Sequence, residues 1–252
     1  TSSSSTSSSS TTSSTSTSTS STTSTTVCRN HYKCYKTKPA TFPSRTVSLT
    51  DQFRSTTATV LKPYRFCNPA DKNNEGICED PTAHLMCYKI SAPPMAPIDV
   101  IVTNQFGEQA LTVIRPETLC NPATKNMVPS DLEIDHFQCY RVRARGFTSR
   151  TVTMGDQFET QTATVIKPYS LCNPVDKNGE GIRFPESHLT CYTVKQPRMV
   201  PRDVTAEDQF LAQESRPFVS TCRKAATLCV PSSKRIASPA GAFLEGASGI
   251  LD

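Results

Sequence analysis

The sequence predicts an all-β fold made of one short unit that occurs four times. The first observation is the motif His-x-x-Cys-Tyr, which begins at His31, His84, His136 and His188 with spacings of 53, 52 and 52 residues. A fixed period of this size is typical of a repeat array. Second, 7% aromatic residues without Trp, 9 Gly and 19 Pro favour short strands and rigid turns over helices. Third, most of the 11 cysteines stand at positions fixed by the repeat, which indicates a disulfide-bonded, extracellular protein.

The N-terminal tract, residues 1–27, consists of 15 Ser and 11 Thr followed by Val27, and it cannot form a hydrophobic core. This composition is typical of a stalk that carries O-linked glycans. Thr15, Thr17 and Thr19 alternate with serines, which favours an extended strand with β-branched side chains on one face. The tract is therefore interpreted as a glycosylated stalk or as a donor segment between subunits, with an undecorated linker as the alternative. As a donor, it would contribute these three threonines and Val27 to polymerisation.

Each unit contains two segments in which apolar and polar residues alternate, as they do in half-buried strands. In unit one these segments are 45–53 and 58–63. Pro63 and Pro69 are expected to end the strand pairing there, because proline offers no backbone N–H. The corresponding segments are 100–106 and 111–116 in unit two, and 151–158 and 163–168 in unit three.

A longer period groups the units in pairs. The sequence Asp-Lys-Asn-x-Glu-Gly follows unit one and unit three but not unit two. A single unit of about 50 residues has a marginal core, and two sheets must face each other to bury theirs. We therefore predict two tandem Ig-like β-sandwiches, each built from two repeats of about 52 residues. The predicted domains are residues 28–131 and 132–231, and residues 232–252 form a C-terminal tail.

Unit four departs from the pattern of the other units. Between Phe210 and Cys229 it carries five extra residues and Cys222, and one apolar strand is replaced by residues 211–217. A sandwich that lacks a strand has an open edge and a groove, which a segment of another chain can fill by β-augmentation. Phe210 and Phe218 are the predicted contacts for such a segment. The alternative is a local rearrangement that closes on itself.

The cysteine spacing indicates one disulfide in each unit. Two cysteines are 33 residues apart in units one to three and 38 residues apart in unit four. A loop of this length contributes about 3 to 4 kcal/mol of stability in the chain-entropy model. Pairing between units, for example Cys67 with Cys87, is the rival connectivity. Cys28 with Cys78 is an additional pair, and Cys222 is left either free or bonded to another chain. The candidate cysteines are Cys34 and Cys67, Cys87 and Cys120, Cys139 and Cys172, Cys191 and Cys229, and Cys28 and Cys78.

The repeated His-x-x-Cys motif resembles half of a zinc site. Zinc requires two more ligands, and each unit offers only one further cysteine and no second histidine. The histidines are therefore interpreted as structural residues that hydrogen-bond the strand backbone beside each disulfide.

Two loops resemble the first half of a calcium-binding loop. They contain Asp71, Asn73 and Glu75, and Asp176, Asn178 and Glu180, each with Gly at the sixth position. The twelfth positions are Thr82 and Ser187, so the bidentate glutamate is missing. A tight Asn/Gly turn is favoured over calcium, and neither a metal nor a cofactor is predicted.

Composition and motifs also argue against several classes of function. The chain contains no nucleophile elbow, no His-Glu-x-x-His and no phosphate loop, so an enzyme is disfavoured. A net charge of +5 without a basic run disfavours nucleic-acid binding. No apolar stretch of about 18 residues is present, so no membrane span is predicted. The absence of Trp disfavours an aromatic carbohydrate platform.

The combined motifs resemble those of a known domain. The series His-x-x-Cys-Tyr, Asp-Gln-Phe, Val-(Leu/Ile)-Lys-Pro, Cys-Asn-Pro and Asp-Lys-Asn-Gly-Glu-Gly resembles a tandem domain of unknown function in secreted proteins of environmental bacteria. The resemblance covers about residues 28 to 231 and implies an extracellular, β-rich, disulfide-bonded protein without an assigned activity. The depleted unit four and the long tract also resemble, in architecture alone, donor-strand polymers such as bacterial pili.

These observations lead to two functional hypotheses. The first is a structural protomer of an extracellular bacterial fibril or pilus-like filament, which polymerises through its N-terminal tract inserted into or laid on a neighbouring subunit. Its partners would be copies of itself and O-linked glycans, at the cell surface or in released filaments. The alternative is a monomeric cell-surface adhesin or ligand-binding module on a mucin-like glycosylated stalk.

Overall fold

The structure is a computed structural model and describes residues 1, 29–37, 41–77, 80–128, 134–214 and 217–237. Within these ranges the regular elements are strands apart from one 3-10 turn at Leu211–Gln213, so the all-β prediction is confirmed. None of the described helical segments is long and apolar enough to cross a membrane. The strands are β1 (His31–Lys36), β2 (Arg45–Thr50), β3 (Ser55–Lys72), β4 (His84–Ser91), β5 (Ile98–Asn104), β6 (Gly107–Lys125), β7 (Phe137–Ala144), β8 (Arg150–Gly155), β9 (Thr160–Pro174), β10 (Asp176–Lys177), β11 (His188–Lys195), β12 (Arg202–Glu207), β13 (Phe218–Cys222) and β14 (Ala225–Ile236).

Two kinds of strand alternate around a closed ring of eight strands in the described ranges. The first kind carries the His-x-x-Cys motif and comprises β1, β4, β7 and β11. The second kind is longer, carries the second cysteine of each unit and comprises β3, β6, β9 and β14. Each long strand pairs antiparallel with the first strand of its own unit and with that of the next. The pairing of β14 with β1, where Cys229 lies opposite Tyr32, closes the ring.

The prediction of two tandem Ig-like sandwiches is not confirmed. Strand β6 of unit two pairs with β7 of unit three, so the ladder runs from one predicted domain into the other. Strand β14 of unit four pairs with β1 of unit one in the same way. Each unit has two strand edges with unpaired backbone groups, and the neighbouring units satisfy both without a second, separate sheet. The predicted boundary between residues 131 and 132 lies outside the described residues.

A second layer of strands covers the outside of the ring. Strands β2, β5 and β8 each form a hairpin with the beginning of the long strand of their unit, and β12 forms one with β13. The far end of each unit pairs with the hairpin of the unit after next: β3 with β8, β6 with β12, β10 with β2, and β14 with β5. Hairpin residues such as Val47 and Met154 share one buried cluster with Tyr35 and Phe66 of the ring strands. The main hydrophobic core therefore lies between the ring and its hairpins.

Disulfides fill the interior of the ring. In each of the four bonds between described residues, the two cysteines lie directly opposite each other on neighbouring strands. The bonds are Cys34–Cys67, Cys87–Cys120, Cys139–Cys172 and Cys191–Cys229. Sulfur atoms of adjacent disulfides lie 3.8 to 3.9 Å apart, so the sulfurs form a continuous belt. The prediction of one disulfide in each unit is confirmed. The rival pairing of Cys67 with Cys87 is not formed.

The prolines of the long strands do not end the pairing, contrary to the prediction. Strand β3 continues through Pro63 and Pro69, which lie opposite Tyr88 and Tyr32 respectively. The register with β4 shifts between Pro63 and Arg65. A bulge of this kind accommodates a residue that cannot donate a ladder hydrogen bond, and it bends the strand.

Unit four does not lack a strand, so that expectation is wrong. Strand β13 pairs with β12 from Phe218 to Cys222, and β14 begins three residues later at Ala225. The long strand that is continuous in the other units is divided here at Arg223 and Lys224. Among the described residues, β13 pairs with β12 alone. Unit four therefore keeps a strand with one unpaired edge, which arises from a break in the long strand.

Hydrogen bonds that carboxyl groups accept join opposite units. Asp208 lies in the hairpin turn of unit four, and its Oδ1 accepts the backbone N–H groups of Phe210 and Leu211, both at 2.9 Å. Its Oδ2 accepts the hydroxyl of Tyr88 at 2.9 Å and the amide of Asn121 at 3.0 Å, both from unit two. The same arrangement joins Asp51 to Tyr140 and Asn173, and Asp156 to Tyr35 and Asn68.

Unit two replaces the carboxylate by an amide, and unit four changes with it. Asn104 occupies the place of the aspartates, and its Nδ2 donates to the hydroxyl of Tyr192 at 2.8 Å. The same nitrogen donates to Ser232 at 3.0 Å, since unit four has Val230 where the other units have Asn. The contact that Asn104 of unit two makes with unit four is therefore neutral, whereas the reciprocal contact from unit four to unit two is made by the carboxyl group of Asp208.

The tyrosine hydroxyls are expected to contribute unequally to stability. Tyr88→Phe removes a donor from the buried carboxylate of Asp208, and hydrogen bonds to charged groups contribute about 1.5 to 3 kcal/mol. Tyr192→Phe removes a neutral contact with Asn104 and is expected to lower the free energy of unfolding by about 1 kcal/mol. Urea denaturation of the oxidised protein measures both values. Equal losses in the two variants would contradict the role assigned to the carboxylate.

Candidate functional site: a basic cleft at one end of the ring

The two ends of the ring interior have different side chains. Residues two positions apart on a strand face the same side, so the residues two before each cysteine lie next to the sulfur belt. On the first strands these are apolar or aromatic: Tyr32, Leu85, Phe137 and Leu189. On the antiparallel long strands they are Arg65, Thr118, Ser170 and Thr227. One end of the interior is therefore apolar, and the other is polar with a single arginine.

Arg65 is the unusual side chain at the polar end. It is 7% exposed, and its guanidinium lies over the rings of Tyr64 and Tyr169, 4.4 and 4.8 Å from their centroids. One Nη donates to the Tyr64 hydroxyl at 3.2 Å. The Nε of Arg65 is buried and has no hydrogen-bond partner among the described residues. A buried donor without an acceptor is costly, and an anion bound beside Arg65 would supply one.

A carboxylate near Arg65 is already neutralised by other groups. Glu117 accepts a hydrogen bond from Lys89 at 2.8 Å and another from the Tyr169 hydroxyl at 2.9 Å. Burial raises the pKa of Glu117, but the hydrogen bond and charge of Lys89 outweigh it and hold the pKa below its usual value. Arg141 lies 4.0 Å from the centroid of the Tyr169 ring. Glu117 therefore pairs mainly with Lys89, and the charge of Arg65 makes a smaller contribution to its lowered pKa.

A cleft opens beside Arg65 and encloses about 720 Å³. We call it the basic cleft, and its lining residues are Lys36, Tyr64, Arg65, Tyr169, Thr193, Val194, Arg198, Thr221, Arg223, Lys224, Ala225 and Ala226. No acidic side chain is among the described residues of this lining. Arg223 and Lys224 are there because the long strand of unit four is divided at these two residues. The break in the long strand of unit four therefore contributes two cationic side chains to the cleft.

The chemistry of the basic cleft favours anions. Five cationic side chains converge on one concavity, and a concave surface of one sign concentrates ions of the opposite charge. Arginine presents a planar fork that matches carboxylate, sulfate or phosphate groups. Tyrosine rings and small side chains complete the wall and can contact apolar parts of a ligand. The volume lies in the range of about 300 to 1,000 Å³ that is usual for ligand pockets.

The histidines of the repeat lie apart from the cleft and from one another. His31 and His136 bond to Glu75 and Glu180 at 3.3 and 3.0 Å, so their ring nitrogens contact carboxylates where backbone contacts were expected. His188 is 1% exposed, and neither ring nitrogen has a hydrogen-bond partner in the described part of the chain. Burial lowers the pKa of His188 to about 3, and the charge of Lys234 contributes. The histidines therefore serve as buried, largely neutral parts of the fold.

The two loops that resemble half of a calcium-binding loop are tight turns, as the sequence favoured. Asn73 and Asn178 have φ of 56° and 58°, the left-handed conformation that such turns require. Asp71 and Asp176 each accept the N–H of the glycine five residues later at 3.0 Å. Lys72 and Gln105 contact the carboxylate of Glu75, and Lys177 and Gln209 contact that of Glu180. Groups of three or more His, Cys, Asp or Glu side chains suited to a metal are not found among the described residues.

Of the remaining candidate residues, some are buried or partly buried and the others lie outside the described ranges. Phe210 is buried and packs against Tyr88 of its own chain at 5.2 Å, while Phe218 of β13 is partly buried. Cys222 carries a free thiol that is buried, and burial together with Asp156 raises its pKa to about 12. A bond from this buried thiol to another chain is not compatible with its position. Thr15, Thr17, Thr19, Val27, Cys28 and Cys78 lie outside the described residues.

The cationic residues of the cleft were not predicted from the sequence. Arg65 could have been found by aligning the units on their second cysteine, because the same position holds Thr118, Ser170 and Thr227 elsewhere. Arg223 and Lys224 stand in the insertion of unit four, but nothing in the sequence places them near Arg65. Tyr64 and Tyr169 follow equivalent prolines and gave no separate signal.

Comparison with known proteins gives one match. Residues 84–231 match the model of a family described as a repeat of unknown function, DUF7450. The matched region begins at the His-x-x-Cys motif of unit two and ends after the second cysteine of unit four. No curated protein and no solved structure matches the chain.

The buried histidines are expected to make stability depend on pH. His188 stays neutral in the folded protein down to pH about 3, whereas the unfolded chain takes up a proton near the ordinary histidine pKa of about 6.5. The unfolded state therefore gains protons first, and stability falls as the pH drops below about 6.5, by up to about 1.4 kcal/mol per pH unit for this residue. Denaturation of wild type and His188→Gln between pH about 7 and 5 measures the slope. A variant with the wild-type slope would contradict this assignment.

Proposed function

The chain belongs to the family of DUF7450 repeats, and we propose that it is an extracellular binding module that holds anionic ligands in the basic cleft. The main support for this proposal is that Arg65, Arg198, Arg223 and two lysines line the same cleft. No acidic side chain is among the described residues of its lining. The buried, unpartnered Nε of Arg65 supports it, because an anion at this place would complete a hydrogen bond. The ligand class is a carboxylate- or sulfate-bearing molecule, such as an acidic polysaccharide.

The extracellular location in this proposal is supported by the disulfides. Four of them join described residues in the centre of the ring, and such bonds persist in oxidising compartments. The N-terminal tract would act as a mucin-like stalk with O-linked glycans that holds the ring away from the cell surface. The absence of enzymatic activity, of a cofactor and of nucleic-acid binding stays a prediction.

Removal of one cleft charge is expected to weaken ligand binding. Arg223→Gln removes a cation from the cleft, and the loss of one charge-assisted contact of about 1.4 kcal/mol weakens binding about tenfold. Arg235→Gln is the matched control, because Arg235 is exposed at the other end of β14 and is not part of the cleft. Isothermal titration of the full chain with polygalacturonate, and with neutral dextran as the uncharged reference, measures the affinities.

Two results would contradict the cleft as the binding site. One is equal loss in the Arg223→Gln and Arg235→Gln variants, which would indicate a diffuse charge effect. The other is binding of dextran as tightly as polygalacturonate. Affinity is also expected to fall as ionic strength rises, because salt screens exposed charges over a Debye length of about 8 to 10 Å.

A second candidate function is supported by the free edge of β13. An unpaired strand edge is a template for a segment of another chain, and β13 pairs with β12 alone among the described residues. Val219 of this strand is 54% exposed. The tract joins β1 at His31, whereas Lys36 at the other end of β1 and Thr221 of β13 both line the cleft. A contact between the tract of one subunit and β13 of the next would thus join unlike surfaces, which generates open filaments.

In this second function the protein would be the protomer of an extracellular bacterial fibril, and β13 would accept the tract by donor-strand exchange. Val219→Lys places a charge on the edge and is expected to abolish fibres, because lysine on an edge strand prevents further pairing. Ile236→Lys is the control, since Ile236 is a similarly exposed aliphatic residue on β14. Electron microscopy and size-exclusion chromatography of the full chain give the result. A concentration-independent monomer, or fibres formed by the Val219→Lys variant, would rule this function out.

A further inference from the structure

One lysine of the repeat contacts a buried amide, whereas its counterparts in units one and three contact carboxylates and that of unit two contacts Gln157. Every unit has a lysine five residues after its second cysteine. In units one and three the loop that follows supplies the partner, in the pairs Lys72–Glu75 and Lys177–Glu180. Unit four has no such loop, and the Nζ of Lys234 donates to Oδ1 of Asn173 at 2.8 Å.

The amide of Asn173 is fixed between an amine and a carboxyl group. The side chain is fully buried, with its oxygen facing Lys234. Its nitrogen faces Oδ2 of Asp51 at 3.3 Å, and the same oxygen accepts the hydroxyl of Tyr140 at 2.7 Å. The Nζ of Lys234 lies 4.2 Å from the centre of the Phe53 ring, which shields it from water. Amine, amide and carboxyl therefore form a continuous line inside the protein.

The surroundings favour the reactive forms of both titratable groups. Burial lowers the pKa of the Lys234 amine to about 8, so a substantial fraction is neutral and nucleophilic in mildly alkaline solution. Burial raises the pKa of the Asp51 carboxyl above its usual value, so this carboxylate takes up a proton more readily than an exposed one. The charge of Asp51 opposes the lowering at Lys234, and Glu186 is the other charged group that acts on this amine.

We propose that Lys234 and Asn173 form an intramolecular isopeptide bond, with Asp51 as the group that transfers protons. The neutral Nζ adds to Cγ of Asn173 and forms a carbon–nitrogen bond, and the proton that Nζ loses passes to the carboxyl group. The carboxyl group protonates Nδ2, the bond from Cγ to Nδ2 breaks, and ammonia leaves. Asp51 ends in its starting protonation state, and the reaction consumes no oxidant, reductant or other reactant. This modification is independent of what the basic cleft binds.

The bond would join two strands that do not pair with each other. Asn173 lies on β9 and Lys234 on β14, and β11 stands between these strands in the ring. Asp51 comes from the hairpin turn of unit one, so units one, three and four meet at this point. The cross-link would tie unit four to unit three at the end of β14 that pairs with β5.

The chain contains its own negative control at the equivalent positions of units two and three. Asn121 and Lys177 correspond to Asn173 and Lys234 in the repeat. Lys177 is paired with Glu180, and the oxygen of Asn121 is bonded to His136 at 3.1 Å. Because this lysine has a carboxylate partner and does not contact the amide oxygen, no bond between Lys177 and Asn121 is expected.

Peptide mapping by mass spectrometry tests the proposal directly. The full chain is produced in an oxidising compartment, held near the pH of about 8 at which Lys234 is partly neutral, then reduced, denatured and digested. The expected product is a branched peptide that joins Lys234 to Asn173 and is lighter than its two parts by one ammonia. Because the mass of each peptide is measured separately, glycans on the N-terminal tract do not obscure the loss of one ammonia. The Lys177 and Asn121 peptides are expected to be unlinked.

Two variants separate the chemistry from the contact. Lys234→Arg keeps the charge and the hydrogen-bond donor but cannot form the amide, so the branched peptide is expected to disappear. Asp51→Asn removes the group that transfers protons. The fold is expected to accept an asparagine here, because unit two has Asn104 at the equivalent position. Its cross-linked fraction is expected to fall at least tenfold at equal incubation time. Unlinked Lys234 and Asn173 in folded wild-type protein would overturn the proposal, and full cross-linking of Asp51→Asn would overturn the role of Asp51.

Discussion

The fold depends on two neighbouring residues of each first strand, the cysteine and the tyrosine of the His-x-x-Cys-Tyr motif. Side chains alternate along a strand, so the cysteine points into the ring and the tyrosine points outward. The inward residue bonds the long strand of its own unit, as Cys87 bonds Cys120. The outward residue bonds the hairpin turn of the opposite unit, as Tyr88 bonds Asp208. A shift of one residue in the register would exchange these roles and break both contacts.

This constraint explains why the units form a ring and not two sandwiches. A single unit satisfies its disulfide internally, but its tyrosine needs a partner from the hairpin turn of the unit after next, which is a carboxyl group for three units and Asn104 for unit four. Units one and three satisfy each other, as do units two and four, so all four must be present together. The strand edges left by each unit are paired by its neighbours, and the pairing of β14 with β1 completes the set in the described residues. Four copies are thus a structural requirement.

The sequence predicted the local features and missed the closure. The repeat, the strands and the pairing of Cys34 with Cys67 follow from periodicity and spacing, which are local properties. The contact of Cys34 with Cys229 joins residues 195 positions apart, and no local pattern encodes it. The interpretation of Pro63 as a strand end failed because a bulge in the pairing with β4 tolerates it. The strand in unit four was missed because its sequence, Phe218–Cys222, no longer resembles those of the other units.

Departures from the repeat are the best guide to sites with chemistry of their own. Positions that hold the fold together are alike in the units, whereas Arg65 replaces a small hydroxyl residue and places a buried cation at the end of the sulfur belt. Lys33 is a second case: it is fully buried near Asp156 at 3.7 Å and Glu159 at 3.4 Å, where the other units have Met86, Thr190 or Gln138.

The departures that line the basic cleft lie where units one and four meet. Arg65 belongs to unit one, while the division of the long strand at Arg223 and Lys224 belongs to unit four. The two units make the last contact of the ring, the pairing of β14 with β1. A perfect repeat would have four equal junctions, and no single one of them would offer a distinctive surface. The junction between units four and one differs from the other three, and this difference gives a symmetrical scaffold one distinctive surface, the basic cleft.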